Sequence, residues 1–180
     1  IELVIARGEV LAENGRILID IPPYSYPDFA VGTVKLGKRL AAGDFDIRVK
    51  GDEVPGSRFQ VPGEERASLA PGPWPLAPVR VIGVVENQAP TRALEAELPV
   101  VDGLIGMDAA RGVCQIALVE RHRATGQVVN GFVSGFGFNA PCAVASTVAH
   151  DSHHMIVVGT DTADMARAAN RLGEAGGVVV

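Results

Sequence analysis

The sequence predicts an α+β domain: a mixed, largely buried β-sheet with flanking helices and a parallel βαβ unit near the C-terminal end. Three observations carry that prediction. Short β-branched runs recur at 79–85, 113–119, 128–134, 143–149 and 155–159, and their near-continuous apolar character is that of strands covered on both faces. Met165, Ala168, Ala169 and Leu172 recur at helical spacing, which gives one buried stripe. The order of strand 155–159, helix and strand 178–180 is that of a βαβ unit, whose strands run parallel through a right-handed crossover.

Length and composition allow such a domain without covalent staples. A chain of 180 residues buries roughly 70% of its unfolded surface. Hydrophobic residues make up 47% and aromatic ones 5%, so the core is one of Val, Ala, Leu and Ile. The formal net charge is -5 with basic residues scattered, and the basic patch of a nucleic-acid binder is missing. Cys114 and Cys142 lie in apolar sequence and read as buried free thiols of a reducing compartment. No secretory leader opens the chain, and no apolar run approaches the ~20 residues of a membrane helix. A cytoplasmic protein with no membrane and no nucleic-acid partner is expected. Ile1 is not an initiator methionine and 178–180 stops inside a strand pattern, so the chain is expected to be a segment of a longer protein.

Taken in order, residues 2–21 read as a small antiparallel β element. Asn14-Gly15 precedes Ile17-Leu18-Ile19, and Asn-Gly is a strong hairpin signal because both turn residues take positive φ. Pro22, Pro23 and Pro27 end it, since proline cannot donate to a ladder. Residues 45–50 alternate apolar and polar, the pattern of a half-buried strand. Residues 51–78 are rich in proline and read as a long surface loop or insertion pinned by Trp74. Residues 93–98 favour helix by propensity but are too short for periodicity to decide. Asp102-Gly103 marks a turn, and strand 113–119 ends in the charged burst Glu120-Arg121-His122-Arg123. Gly131, Gly135 and Gly137 among Phe132, Phe136 and Phe138 indicate close backbone approach or special dihedrals. In the last helix Asp161 or Thr162 is the cap, Arg167 and Arg171 point outward, and Gly173 or Gly176 is the stop.

The residues with most chemistry are His150, Asp151, Ser152, His153 and His154, a polar knot between two apolar strands. Strand ends are where α/β sheets place ligands, and imidazoles oriented by a carboxylate supply proton transfer or ligation. Glu120 and His122 are candidates to join that site. The competing reading is that these groups only cap strand ends and bond loop backbone. A metal held by this chain alone is not favoured: His150 and His153 suit one ion only if the segment turns helically, and Cys142 lacks the second cysteine of a deaminase zinc signature. Ser152 lacks a nucleophile elbow. Gly135-Phe136-Gly137 is too short for a phosphate loop.

Several blocks in order resemble one family. Val119-Glu120-Arg121-His122, Ala124-Thr125-Gly126, Gly131-Phe132-Val133, Gly135-Phe136-Gly137, the run from Ala145 through His150-Asp151-Ser152-His153, and Val157-Val158-Gly159-Thr160 with Asp164-Met165 are similar to the C-terminal domain of bacterial adenine deaminases. The likeness covers 31–180, and residues 1–21 resemble the return strands of the small β-sandwich flanking the barrel in that family. The resemblance implies two parts: 1–30, a β-sandwich remnant and linker, and 31–180, an adenine deaminase C-terminal-type domain.

It further implies a metal-dependent enzyme of the amidohydrolase superfamily that converts adenine and water to hypoxanthine and ammonia in purine salvage. The divalent metal (manganese, iron or zinc) would be bound by a barrel domain outside this chain. No metal ligand is assigned here, because no His-x-His pair is present. The implied partners are adenine, the barrel and further copies in a homo-oligomer; the fragment alone is expected to be inactive. By the same resemblance His150, Asp151 and His153 are auxiliary catalytic residues, and Ser152, His154, Glu120 and His122 bind substrate as the loop shapes or closes the pocket. The alternative is a non-catalytic structural or oligomerisation module with a structural histidine cluster. Two departures, His154 where relatives more often carry Asn and the insertion 51–78, bear on which amino-purine is accepted.

Overall fold

A computed structural model of the chain describes residues 2–49, 75–138 and 140–176. The chain divides into two compact units, Ile1–Val31 and Gly32–Val180. In the first, β1 (Leu3–Ala6), β2 (Glu9–Glu13) and β3 (Arg16–Ile17) form an antiparallel meander. Its two turns are Arg7-Gly8 and Asn14-Gly15, all four residues at positive φ, the geometry whose twist matches that of paired strands. β3 is shorter than the expected run to Ile19, although the Leu18 N–H still reaches the Leu11 carbonyl at 2.9 Å.

The second unit is a seven-stranded sheet closed on one face by a helix. Its strands are β4 (Leu76–Gly83), β5 (Arg92–Val101), β6 (Leu104–Ile105), β7 (Val113–Val119), β8 (Val128–Ser134), β9 (Ala143–Ser146) and β10 (Met155–Gly159), in the order β6-β5-β4-β8-β7-β10-β9. Every pairing is antiparallel except β4 with β8, so the α+β prediction of a mixed sheet holds. The last strand of the expected βαβ unit lies outside the described residues.

The helix α1 (Thr162–Ala175) starts where the Asp161 carboxylate accepts the Ala163 and Asp164 N–H groups at 2.8 and 2.9 Å. It stops at Gly176, which takes the left-handed conformation that a residue without Cβ adopts freely. Met165, Ala166, Ala168, Ala169 and Leu172 are buried. Arg167 and Arg171 turn outward to Asp164 and Glu174. The helix lies close on β10 because Gly159 is bare: a Cβ there would stand 2.6 Å from Met165 Cγ. Cys114 and Cys142 are free thiols, and burial raises the pKa of Cys114.

Three local expectations change. Of the expected strand 45–50, the described residues 45–49 form no regular strand: Ala42–Phe45 form a 3-10 helix, and Arg48 makes an isolated bridge to Leu104. The turn forms because the Asp44 carboxylate accepts the Ala41 N–H, while Asn130 and Gln115 donate to the Asp44 and Phe45 carbonyls that a neighbouring strand would otherwise use. Residues 93–98 belong to β5, paired with β4 over eight positions; the ladder overrides local helix propensity. β4 begins at Leu76 and includes Pro78, which is tolerated because β8 pairs with β4 only from Val81 onward. The rest of the proline-rich segment, with Trp74, falls outside the described residues.

Removing the helix cap with Asp161→Ala should cost about 1 kcal/mol. The expected readout is a lower urea midpoint at unchanged slope, and an unmoved midpoint would show that the cap contributes nothing.

Candidate functional site

A register builds the site. β7 and β10 run antiparallel with Val119 opposite Met155, so the residues leaving β7 and those entering β10 emerge side by side at one end of the sheet. β10 also pairs with β9, Ile156 opposite Ser146, so residues 147–154 fold back within one strand spacing. A reversal this tight bends the backbone. The His153 N–H donates to the Ala149 carbonyl at 2.7 Å and the Ser152 N–H to the His150 carbonyl at 3.0 Å. Asp151 and His153 stand at φ 70 and 50, left-handed positions that cost a non-glycine residue roughly 1–3 kcal/mol each.

The loop splits the candidate residues into two groups. His122 and His154 lie together, ring centroids 4.8 Å apart. The Nε2 of His122 is 3.1 Å from the Ser152 carbonyl; a carbonyl only accepts, so this nitrogen carries the proton. Ser152 Oγ accepts the His154 N–H at 3.3 Å. The Nδ1 of His154 is buried with no hydrogen-bond partner among the described residues. At the tip, His150 and Asp151 pair at 3.1 Å with both side chains 97% exposed, and the His153 ring stands 6.4 Å from that of His150. Such an exposed pair contributes little to stability, and among the described residues these two side chains hold no loop backbone in place.

Glu120 faces its own loop. One carboxylate oxygen accepts the N–H groups of His122 at 2.5 Å and Arg123 at 2.8 Å, and the other accepts the Thr125 N–H and hydroxyl, each at 3.0 Å. The Thr125 N–H first, then those of Arg123 and His122 with the Thr125 hydroxyl, hold its pKa down to about 2 against the opposing effect of burial. A carboxylate with both oxygens so occupied is an anchor for residues 120–125 rather than a proton acceptor.

Two residues that hold the site were not legible as such. Arg121 reads only as part of a charged burst, yet its Nε donates to the His153 carbonyl at 2.6 Å and its Nη1 to the Thr33 carbonyl at 2.9 Å. Gly37 lets the segment carrying Thr33 lie directly on this turn, since a Cβ there would stand 2.3 Å from the Ala124 carbonyl oxygen. Thr33 and Arg121 are 88 residues apart, and no local pattern announces such a pair. Among the described residues no three His, Cys, Asp or Glu side chains converge to hold a metal ion, and no helix is long and apolar enough to cross a membrane.

Comparison with known proteins gives one consistent family. Residues 88–180 match the family described as adenine deaminase C-terminal domain. The whole chain is 58% identical over 180 residues to adenine deaminase 3 of Rhizobium meliloti, of which it covers 27%. It is 57% identical over 180 residues to the adenine deaminase of Mesorhizobium japonicum and 42% identical over 181 residues to that of Rubrobacter xylanophilus, covering 26% of each. The chain thus spans about a quarter of the length of the curated relatives it matches.

The anchor at Glu120 has a pH signature. A carboxyl depressed from 4.5 to about 2 contributes its full stabilisation above about pH 4.5 and loses it as the pH falls towards 2. The side-chain carboxyl carbon of Glu120 should therefore titrate in NMR with a midpoint near 2, and a midpoint above 4 would mean that the four donors are not on it.

Proposed function

Because the chain belongs to the adenine deaminase family through its C-terminal domain, we propose that it is the C-terminal part of a metal-dependent adenine deaminase, converting adenine and water to hypoxanthine and ammonia. Residues 1–30 are the β-sandwich remnant and linker, and 31–180 the C-terminal-type domain. The enzyme is a cytoplasmic purine-salvage hydrolase of the amidohydrolase superfamily and a homo-oligomer. Its divalent metal, manganese, iron or zinc, sits in a barrel domain outside this chain; the described residues offer no ligand set for it, and none of this chain's roles involves holding it.

Within that enzyme the histidine loop shapes and closes the adenine pocket. The observation that carries the reading is the 97% exposure of His150 and Asp151 at the tip of a loop held in left-handed backbone. A cluster kept for the fold would spend these side chains on the fold. Losing an amino group from a purine requires protons delivered to nitrogen, and an imidazole does this near neutral pH. Asp151 beside Nδ1 orients the His150 ring and leaves Nε2 directed away from the carboxylate. His153 stands within reach of the same ligand, while Ser152, His154 and His122 form the wall behind, with Glu120 fixing the turn that carries His122. The purely structural module is the weaker reading, since the side chains of His150 and Asp151 bond only each other among the described residues.

Two measurements test this. Ammonia release from adenine with added divalent metal should occur with the full-length protein and not with this chain alone; release by this chain would relocate the metal site here. In the full-length protein, His150→Ala and His153→Ala should each lower kcat/KM on the order of 100-fold while the unfolding midpoint stays within a few degrees. Wild-type kinetics in folded variants would remove the loop from the active site.

A further inference from the structure

We propose that Arg121 is the positioning residue of the histidine loop, setting the directions of His153 and His154 without itself touching substrate. The proposal rests on the reading that this loop contributes to deamination. Three separate segments meet at this one residue. Its Nε donates to the His153 carbonyl at 2.6 Å, and its Nη1 donates to the Thr33 carbonyl at 2.9 Å and to the Thr33 hydroxyl at 3.3 Å. Its own carbonyl accepts the Lys35 N–H at 2.8 Å. Arg121 follows directly on Val119-Glu120 at the end of β7, so its backbone is fixed by the sheet, and the turn after it is locked by the Glu120 carboxylate.

The lever is the peptide plane between His153 and His154. That plane is rigid, so holding its carbonyl oxygen places both flanking Cα atoms and the directions in which both imidazoles leave the chain. His153 stands at φ 50 and Asp151 at φ 70, backbone states that persist only where the surroundings over-determine them. The bond from His153 N–H to Ala149 holds the loop from within; Arg121 supplies the tie from without. The donors of a guanidinium lie in one fixed plane, so bonding the His153 and Thr33 carbonyls together sets the spacing between the loop and the 33–35 segment. A lysine in its place keeps the charge but cannot hold both carbonyls in that geometry. The half-buried stem and fully engaged Nε and Nη1 also explain why an arginine stands here among residues otherwise chosen for proton chemistry.

The test uses the full-length enzyme with Arg121→Lys, Arg121→Ala, His153→Ala and the double variant Arg121→Ala/His153→Ala, read by steady-state kinetics on adenine and by hydrogen exchange of peptides covering 148–155 and 162–175. Both Arg121 variants should speed exchange in 148–155 by about tenfold while 162–175 exchanges as in wild type. They should lower kcat by about tenfold to 100-fold, with KM changing less. In the His153→Ala background, Arg121→Ala should cost less than about threefold further, because residues acting through one another are not additive. If Arg121→Ala does not fold, Arg121→Lys alone carries the test. Unchanged exchange in 148–155 overturns the proposal, and so do losses that multiply in the double variant, which would mean that Arg121 acts by another route. Faster exchange with full turnover in Arg121→Lys and His153→Ala alike keeps the positioning role and overturns instead the loop's part in deamination.

Discussion

The antiparallel register of β7 against β10, Val119 opposite Met155, is the constraint on which the candidate site depends. Once those two strands pair, the charged residues after 119 and the histidines before 155 have no choice but to share one end of the sheet. A slip of one residue would also send alternate side chains to the wrong face, and here that would expose Val119, Val157 and Met155, which are buried against α1 and the 34–45 segment. The packing that stabilises the domain and the register that assembles the polar end are thus the same interaction. This is why the polar cluster can sit on exposed loops without floating: its placement is decided by apolar contacts several residues away.

The charged residues after β7 divide their work. Glu120 turns back and satisfies four donors of the next five residues, which makes the first turn rigid and uses up the carboxylate. Arg121 reaches across to two other segments. His122 places its Nε2 proton on the Ser152 carbonyl. Three consecutive side chains therefore secure their own turn, the neighbouring loop and the contact between them. The side chains left over, His150, Asp151 and His153, are the ones at the tip, where nothing else among the described residues uses them. Asp151 and His153 hold left-handed backbone there, a conformation that persists only where the surrounding structure over-determines it.

The domain also relies on small residues where elements must approach closely. Gly159 admits α1 onto β10, Gly37 admits the 33–38 segment onto the turn at Ala124, and the alanines of α1 keep the helix low on the sheet. Asn170 then ties Leu40 to the helix through both its N–H and its carbonyl, at 2.9 and 2.8 Å. The segment bearing Thr33 is held on its C-terminal side at Gly37 and Leu40, which gives Arg121 a fixed object to grip.

Much of this was legible in the sequence. The apolar runs of β7, β8 and β10, the Asn14-Gly15 and Asp102-Gly103 turns, the Asp161 cap, the buried stripe of α1 and the histidine knot at a strand end all follow from dihedral preferences and periodicities of neighbouring residues. So does the resemblance of the ordered blocks, since it too is a property of the linear chain. What only the tertiary structure decided is of another kind. Phe45, expected to open a strand, instead ends a 3-10 turn because Asn130 and Gln115 claim the Asp44 and Phe45 carbonyls; 92–101 extends because β4 offers a ladder; Glu120 is an anchor because its acceptors meet N–H groups of its own turn; and Arg121 matters because Thr33 and His153 arrive beside it. Local sequence encodes which conformations a segment can adopt cheaply, whereas the partner of a given donor or strand edge is settled only when chain segments far apart in sequence have closed on one another.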